Sequence, residues 1–354
     1  MSIRRVQVTD FRCLQSVALD LDSRFTLISG PNASGKTSLL EALYVLGRGR
    51  SFRTRRLEHL IRHGSERFIV FGEVDAFDRR VAIGVEGSAV GIRAKLGGAK
   101  AASLAELAPL LPVQIIDPEI HRLIEEGPSR RRRFLDWGVF HVEPRFVDDW
   151  VRFQQALKQR NAALKSRQPR SVIAAWDGDL VQYGESLSAA RSRYVGLLTE
   201  HAVATARRLL GMELSISYRT GWARGTSLAE ALLQSWTHDQ ESGVTQVGPH
   251  RAELHIRLDD VAVKDRISRG QQKLLAAALL MAQVKLFPQD SPVRPSLLLD
   301  DPAAELDNER LTGLIGEVSS QSVQLIVTTL HPEFSEFGTP GLQYRIERGG
   351  VRPV

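Results

Sequence analysis

The chain has 354 residues, of which 43% are hydrophobic and 25% charged, and it carries a formal net charge of +6. Those proportions describe a globular protein able to bury a continuous core, and they exclude fibrous, low-complexity and intrinsically disordered classes. The longest unbroken apolar run, residues 274–282, is about half of the roughly 20 that a membrane helix needs, so no membrane partner is expected.

A single cysteine, Cys13, cannot form an internal disulfide, which suits a reducing compartment such as the cytoplasm, and no catalytic role is expected for it. An excess of six positive charges favours polyanionic partners only weakly by itself, so its distribution matters more. One basic cluster gathers Arg48, Arg50, Arg53, Arg55, Arg56 and Arg62, and a second is the arginine run 130–133.

In chain order, the N-terminal segment alternates polar and apolar residues, with Val6 and Val8 in phase, and reads as a first strand, not a secretory leader. The apolar run 25–28 is a further strand ending at Gly30, and a helix is predicted over 37–46. Alternating segments 68–74 and 81–85 lie close enough to pair as antiparallel neighbours, and strand signals stop near Ile116. From Phe146 the period lengthens. Phe146, Trp150, Phe153, Leu157 and Leu164 fall at steps of three and four, with Arg160 interrupting the seam. After the turn-like stretch 166–171 the pattern returns through Trp176, Leu180, Tyr183, Leu187, Ala190, Tyr194 and Leu197. This spacing predicts an antiparallel helical hairpin, with ordinary core helices of a bundle as the alternative. Strand patterning resumes over 212–218 and 252–258, and the solid apolar runs 297–299 and 324–327 suit buried parallel strands. The predicted class is α/β, with one sheet assembled from both ends of the chain around a helical insertion.

The segment Gly30-Pro31-Asn32-Ala33-Ser34-Gly35-Lys36-Thr37 matches the P-loop pattern in full and sits between an apolar strand and a helix, the context the motif requires. Its backbone N–H groups and the helix N-terminus suit the phosphates of ATP; Lys36 reaches the terminal phosphates, Thr37 ligates Mg2+, and Ser38 follows in the first helical turn. The strand 297–299 ends in Asp300 and Asp301, a Walker B segment at the edge where doubly wound sheets place ligands. Asp300 is expected to hold Mg2+ and Asp301 to orient or deprotonate the attacking water.

A third element, Ser268-Arg269-Gly270-Gln271, opens the apolar helix that follows it. Ser268 can cap that helix, whose first-turn N–H groups attract an anion. Here the chain resembles the ABC ATPases, in which Ser268, Gly270 and Gln271 would meet the γ-phosphate of an ATP held by the opposite subunit. The same resemblance makes Asp307 a D-loop residue, puts Thr328-Thr329-Leu330-His331 in the place of the switch histidine with His331 or Thr329 as the γ-phosphate switch, and makes Gln114 a Q-loop candidate for catalysis and Mg2+. It implies an ABC-type ATPase head, with a mixed nucleotide-binding sheet as lobe I and a mostly helical lobe II. The expected parts are 1–122 for the first portion of lobe I, 123–247 for lobe II and 248–354 for the C-terminal ATPase portion.

Roughly 230 residues separate the P-loop from Ser268, more than in transporter nucleotide domains, and the helical insertion is too short for the arms of SMC proteins. Asp10-Phe11-Arg12, Ser51-Phe52-Arg53, Arg132-Arg133-Phe134-Leu135-Asp136-Trp137, Gln159-Arg160-Asn161, Gly248-Pro249-His250-Arg251 and Asp300-Asp301-Pro302-Ala303-Ala304-Glu305-Leu306-Asp307 together resemble the RecF family of bacterial recombination mediators. That resemblance implies an ATP-dependent homodimer on duplex and gapped DNA, weak DNA-stimulated ATP hydrolysis, help in loading RecA together with RecO and RecR, and a nucleotide contact by Arg12. An SMC-like structural DNA bridge is the alternative. Arg48, Arg50, Arg53, Arg55 and Arg56, which follow the P-loop helix, are the candidates for DNA phosphates. Aspartate at 301, where transporter ATPases carry glutamate, predicts slow turnover.

Overall fold

The structure, a computed structural model, describes residues 2–259, 261–263, 267–288, 290–305, 308–334 and 336–354. The chain forms two compact units, one from Met1–Ile120 with Gln289–Val354 and one from His121–Pro288.

The first unit begins with strands β1 (Ile3–Phe11), β2 (Leu14–Asp20) and β3 (Phe25–Ser29), followed by helix α1 (Lys36–Arg48). A meander of β4 (Arg67–Ala76), β5 (Arg79–Ser88), β6 (Gly91–Leu96) and β7 (Ala99–Lys100) leads to β8 (Val113–Ile116). In β1 the side chains of Val6 and Val8 are buried and their neighbours exposed, the alternation of a half-buried antiparallel strand. β4 and β5 pair with Val74 opposite Val81, and their link carries Phe77 at φ 50° and Asp78 at φ 57°, the double left-handed turn that matches strand twist.

The second unit contains helices α2 (Arg122–Glu125), α3 (Pro128–Val142), α4 (Phe146–Lys165), α5 (Arg170–Ala174) and α6 (Asp177–Leu210). Strand β9 (Leu214–Arg219), helices α7 (Leu228–Gln234) and α8 (Trp236–Ser242), strands β10 (Glu253–Leu258) and β11 (Val261–Ala262), and helix α9 (Arg269–Lys285) complete it. α4 and α6 run antiparallel: Arg152 of α4 donates to the Tyr183 hydroxyl of α6 at 3.1 Å, and Arg160 Nε to Asp177 at 2.8 Å. Most seam residues are buried, but Trp150 and Leu197 remain 37% and 45% exposed. Leu197 ends its stripe, where a straight helix of 3.6 residues per turn has drifted off a seven-residue repeat. α6, at 34 residues, runs on beyond the hairpin to pack against α9.

Arg160 interrupts the apolar pattern because it is fully buried, with Nη1 2.7 Å from the equally buried Asp239 and 2.9 Å from Thr245 Oγ1. A buried guanidinium is tolerable only with such partners. The arginine run 130–133 is also structural. Arg131 makes a paired contact with Glu253 at 2.8 Å, Arg132 donates to Ala252 O at 2.8 Å, and Arg130 pairs with Glu126. The bonds of Arg131 and Arg132 tie α3 to the start of β10.

Returning to the first unit, β12 (Ser296–Asp300), α10 (Pro302–Glu305), α11 (Asn308–Ser319), β13 (Gln324–Thr329), β14 (Leu342–Glu347) and β15 (Gly350–Pro353) end the chain. Two six-stranded sheets result, an antiparallel one in the order β2-β1-β4-β5-β6-β7 and a mixed one in the order β15-β14-β3-β13-β12-β8. β3, β12 and β13 are buried along their whole length, as parallel strands covered on both faces must be. Gln324, itself buried, holds Ile3 N and O, Asp22 O and Ser296 Oγ at 2.8–3.0 Å, and so fastens the two sheets together.

The expected boundary at 247/248 is displaced to 288/289. β10 belongs with the second unit because it pairs with β9 over six residues, and α9 because it packs most extensively against α6. Patterning identifies both elements but carries no record of which strand or helix each one meets.

Candidate nucleotide site

The site forms at the C-terminal ends of β3, β12 and β13, adjacent parallel strands whose tips open on one edge. Gly30, immediately after β3, donates its N–H to Thr329 O at 3.1 Å, and a Cβ there would collide with Ile346 O, so no side chain fits. Gly35 caps α1 at φ 113°, a conformation costly for other residues, and no side chain caps that helix. The N–H groups of the first turn are thereby left to an anion. The buried Ser34 Oγ lacks a hydrogen-bond partner among the described residues.

Lys36 Nζ folds onto its own loop, donating to Gly30 O at 2.7 Å and Pro31 O at 3.0 Å. Burial lowers its pKa below the ordinary lysine value, while the charges of Asp301 and Asp300 oppose that fall. Thr37 Oγ1 lies 2.8 Å from Asp300 Oδ2. This threonine and carboxylate form a hard-oxygen pair of the kind Mg2+ accepts, so the residues fit that ion. Asp301 follows at φ 48°, a left-handed backbone that aspartate tolerates better than most side chains. A cavity of about 440 Å³ is lined by the loop 32–38 with Cys13, Arg53, Pro118, Asp300, Asp301 and Ala304.

Several expected site residues lie elsewhere. Gln114 pairs in register with Leu297, three residues before Asp300, which sets it about 10 Å back from the ligand edge. Pro118, beyond the end of β8, reaches the cavity in its place. Arg12, at φ 55°, spends its guanidinium on the buried Glu41, with bonds of 2.9 and 2.8 Å, and does not line the cavity. His331 is exposed and also absent from the lining, its N–H donating to Thr329 Oγ1 at 3.1 Å. Asp307 lies outside the described residues. Ser268, Gly270 and Gln271 are in the second unit, at the start of α9, where Ser268 Oγ accepts from Gln271 N and Gln271 Oε1 from Ser268 N.

The five candidate DNA arginines separate into three groups. The guanidiniums of Arg48 and Arg50 engage the buried Tyr44 phenol, whose pKa burial would raise but which these two charges pull below its ordinary value. Arg53 lines the nucleotide cavity and stands 3.5 Å from Glu41. Arg55 and Arg56 are exposed, as are Arg50 and Arg53. Sequence reasoning gave no site role to Cys13 and Pro118, which come from segments with no motif of their own, and it read Thr328 only as the start of the switch segment, not as a partner of Asp300, whose Oδ1 is 2.8 Å from its hydroxyl.

The chain matches the RecF/RecN/SMC N terminal domain model over residues 2–350. It is 39% identical over 99% of its length to the DNA replication and repair protein RecF of Yersinia enterocolitica, covering 98% of that protein. Among solved structures it resembles the recombination mediator protein RecF-ATP in the RecFOR pathway, with a TM-score of 0.89 and 27% identity over 100% of this chain and 97% of that one. An Smc head bound to the C-winged helix domain of ScpA shares the fold, with a TM-score of 0.61 at 19% identity, covering 100% of this chain and 97% of the other. A P-loop pocket with a paired-acid strand, on a head of this fold, and a sequence match spanning nearly the whole chain place this protein in the RecF family of SMC-like ABC ATPases.

Proposed function

We propose that this protein binds ATP and Mg2+ in the pocket of the first unit, hydrolyses ATP slowly, and uses the nucleotide to close two copies on DNA during replication and recombinational repair. The supporting observation is that the motifs are divided between the units: the P-loop and both acids stand in one, the Ser268 helix end in the other. A composite site formed by two chains gives each half a use.

In this reading Lys36 turns from its loop carbonyls to the terminal phosphates, and the uncapped first turn of α1 receives the phosphate oxygens. Thr37 and Asp300 would hold Mg2+, which supplies charge neutralisation at the phosphates. Asp301 orients the attacking water and accepts its proton. Ser268 and the first turn of α9 meet the γ-phosphate of the ATP bound by a second copy. Arg55 and Arg56 contact DNA phosphates, and RecR, RecO and RecA are the partners expected from the family.

The test is the ATP hydrolysis rate per chain against protein concentration, with and without gapped duplex DNA. A rate that climbs with concentration and with DNA is expected, and Ser268→Arg should abolish both the climb and ATP-dependent dimerisation. A rate independent of concentration and DNA, or an intact dimer in Ser268→Arg, would defeat the composite site.

A further inference from the structure

The two acids at the tip of β12 are contacted by one hydroxyl, that of Thr328, to which the sequence assigns no role beyond its place three residues before His331. Thr328 lies in β13 directly across from Asp300 in the parallel register, and its side chain is fully buried. Its Oγ1 lies 2.8 Å from Asp300 Oδ1, its best-placed acceptor, while Leu299 O is 3.4 Å away. The same oxygen accepts the backbone N–H of Asp301 at 3.2 Å, and Thr328 O takes that N–H at 3.1 Å.

The consequence follows from how the carboxylate is divided. Oδ2 of Asp300 faces Thr37 Oγ1 at 2.8 Å, on the side of the cavity, and Oδ1 is engaged by Thr328. A carboxylate rotates about its Cβ–Cγ bond with little resistance, so an oxygen is committed to the cavity only if the other is held. The two bonds to the Asp301 N–H also pin a residue at φ 48°, where a non-glycine backbone needs its surroundings to keep it.

We propose that Thr328 is the positioning residue of the acid pair, fixing which oxygen of Asp300 meets the cation and the direction in which the Asp301 carboxylate points. A purely structural role would be met as well by valine, which has the same shape and suits a buried parallel strand. The distinction lies in the hydroxyl.

The inference rests on the Mg2+ and ATP reading of the site. The experiment measures binding of a fluorescent ATP analogue with and without Mg2+, then single-turnover hydrolysis, in wild type, Thr328→Val, Thr328→Ala and Thr328→Ser. Wild type should bind the nucleotide more tightly with Mg2+. In Thr328→Val and Thr328→Ala the Mg2+ enhancement and the hydrolysis rate should each fall, on the order of 10-fold, as for the loss of a group that orients a metal ligand. Binding without Mg2+ should be unchanged, and Thr328→Ser should restore both quantities. Comparable Mg2+ enhancement in wild type and both hydroxyl-free variants would overturn the role of Thr328 alone. A serine variant as impaired as valine would assign the loss to packing. A wild type whose nucleotide binding ignores Mg2+ would overturn the cation reading itself, and the role of Thr328 with it.

Discussion

Helix α1 starts at Gly35, where φ is 113° and no side chain caps the first turn, whereas α9 starts at Ser268, whose hydroxyl accepts from Gln271 N while Gln271 Oε1 accepts from Ser268 N. Both helices open on a nucleotide motif, yet one presents its donors to a cavity and the other satisfies two of its own. Under the composite-site proposal, the capping box keeps the start of α9 paired before a phosphate arrives, while the bare first turn of α1 offers its N–H groups to the pocket of its own unit.

That contrast is open to attack in order of expected effect. Arg160→Ala leaves the buried Asp239 without its main partner, and should destabilise the second unit by about 3–5 kcal/mol in thermal or urea unfolding. Nucleotide binding by the folded protein should persist, and its loss would show that the two units are not separable in the way the motifs suggest. Lys36→Ala should weaken ATP on the order of 100-fold, the worth of a charge-assisted bond to phosphate, measured by titration of a fluorescent analogue. An unchanged affinity would mean that the pocket does not use its lysine.

Ser268→Ala should cost about 1 kcal/mol of stability through removal of the cap. It should leave ATP affinity of the single chain untouched and weaken ATP-dependent dimerisation, read by sedimentation. If single-chain affinity also drops, the two helix ends are not independent halves. The smallest effect is expected at the arginines. Replacing Arg55 and Arg56 by alanine should lower the log–log salt dependence of DNA binding by about 1 in slope for each phosphate these side chains neutralise. Arg132→Ala should instead lower stability and leave that slope alone, because its guanidinium is bound to Ala252 O.

The two arginine clusters also mark the limit of sequence reading. They look alike as composition, but Arg131 and Arg132 reach residues more than a hundred positions away, while Arg48 and Arg50 of the other cluster meet Tyr44 only a few residues off. Charge can be counted along a chain; the partner of a charge is a fact of packing. Gln114 shows the same limit in one dimension: its strand was legible, but its distance from the ligand edge depended on the register with β12. Arg160 was legible only as an interruption, since a heptad carries no sign that Asp239 waits opposite.

By itself the sequence determined the P-loop, the paired acids, the Ser268 helix start, the buried strands that carry the first two, and the α/β class. The motifs are local patterns whose chemistry is complete within about ten residues, and the class follows from the alternation of strand and helix periods along the chain, so spacing and residue type suffice. Only the tertiary structure decided that the Ser268 helix α9 belongs with the second unit, that Arg12 serves Glu41, that Pro118 and Cys13 line the cavity, and that Thr328 touches both acids. Those facts depend on which strands become neighbours and in what register. Register is set by burying whole faces at once, a property of the folded chain that no single segment contains.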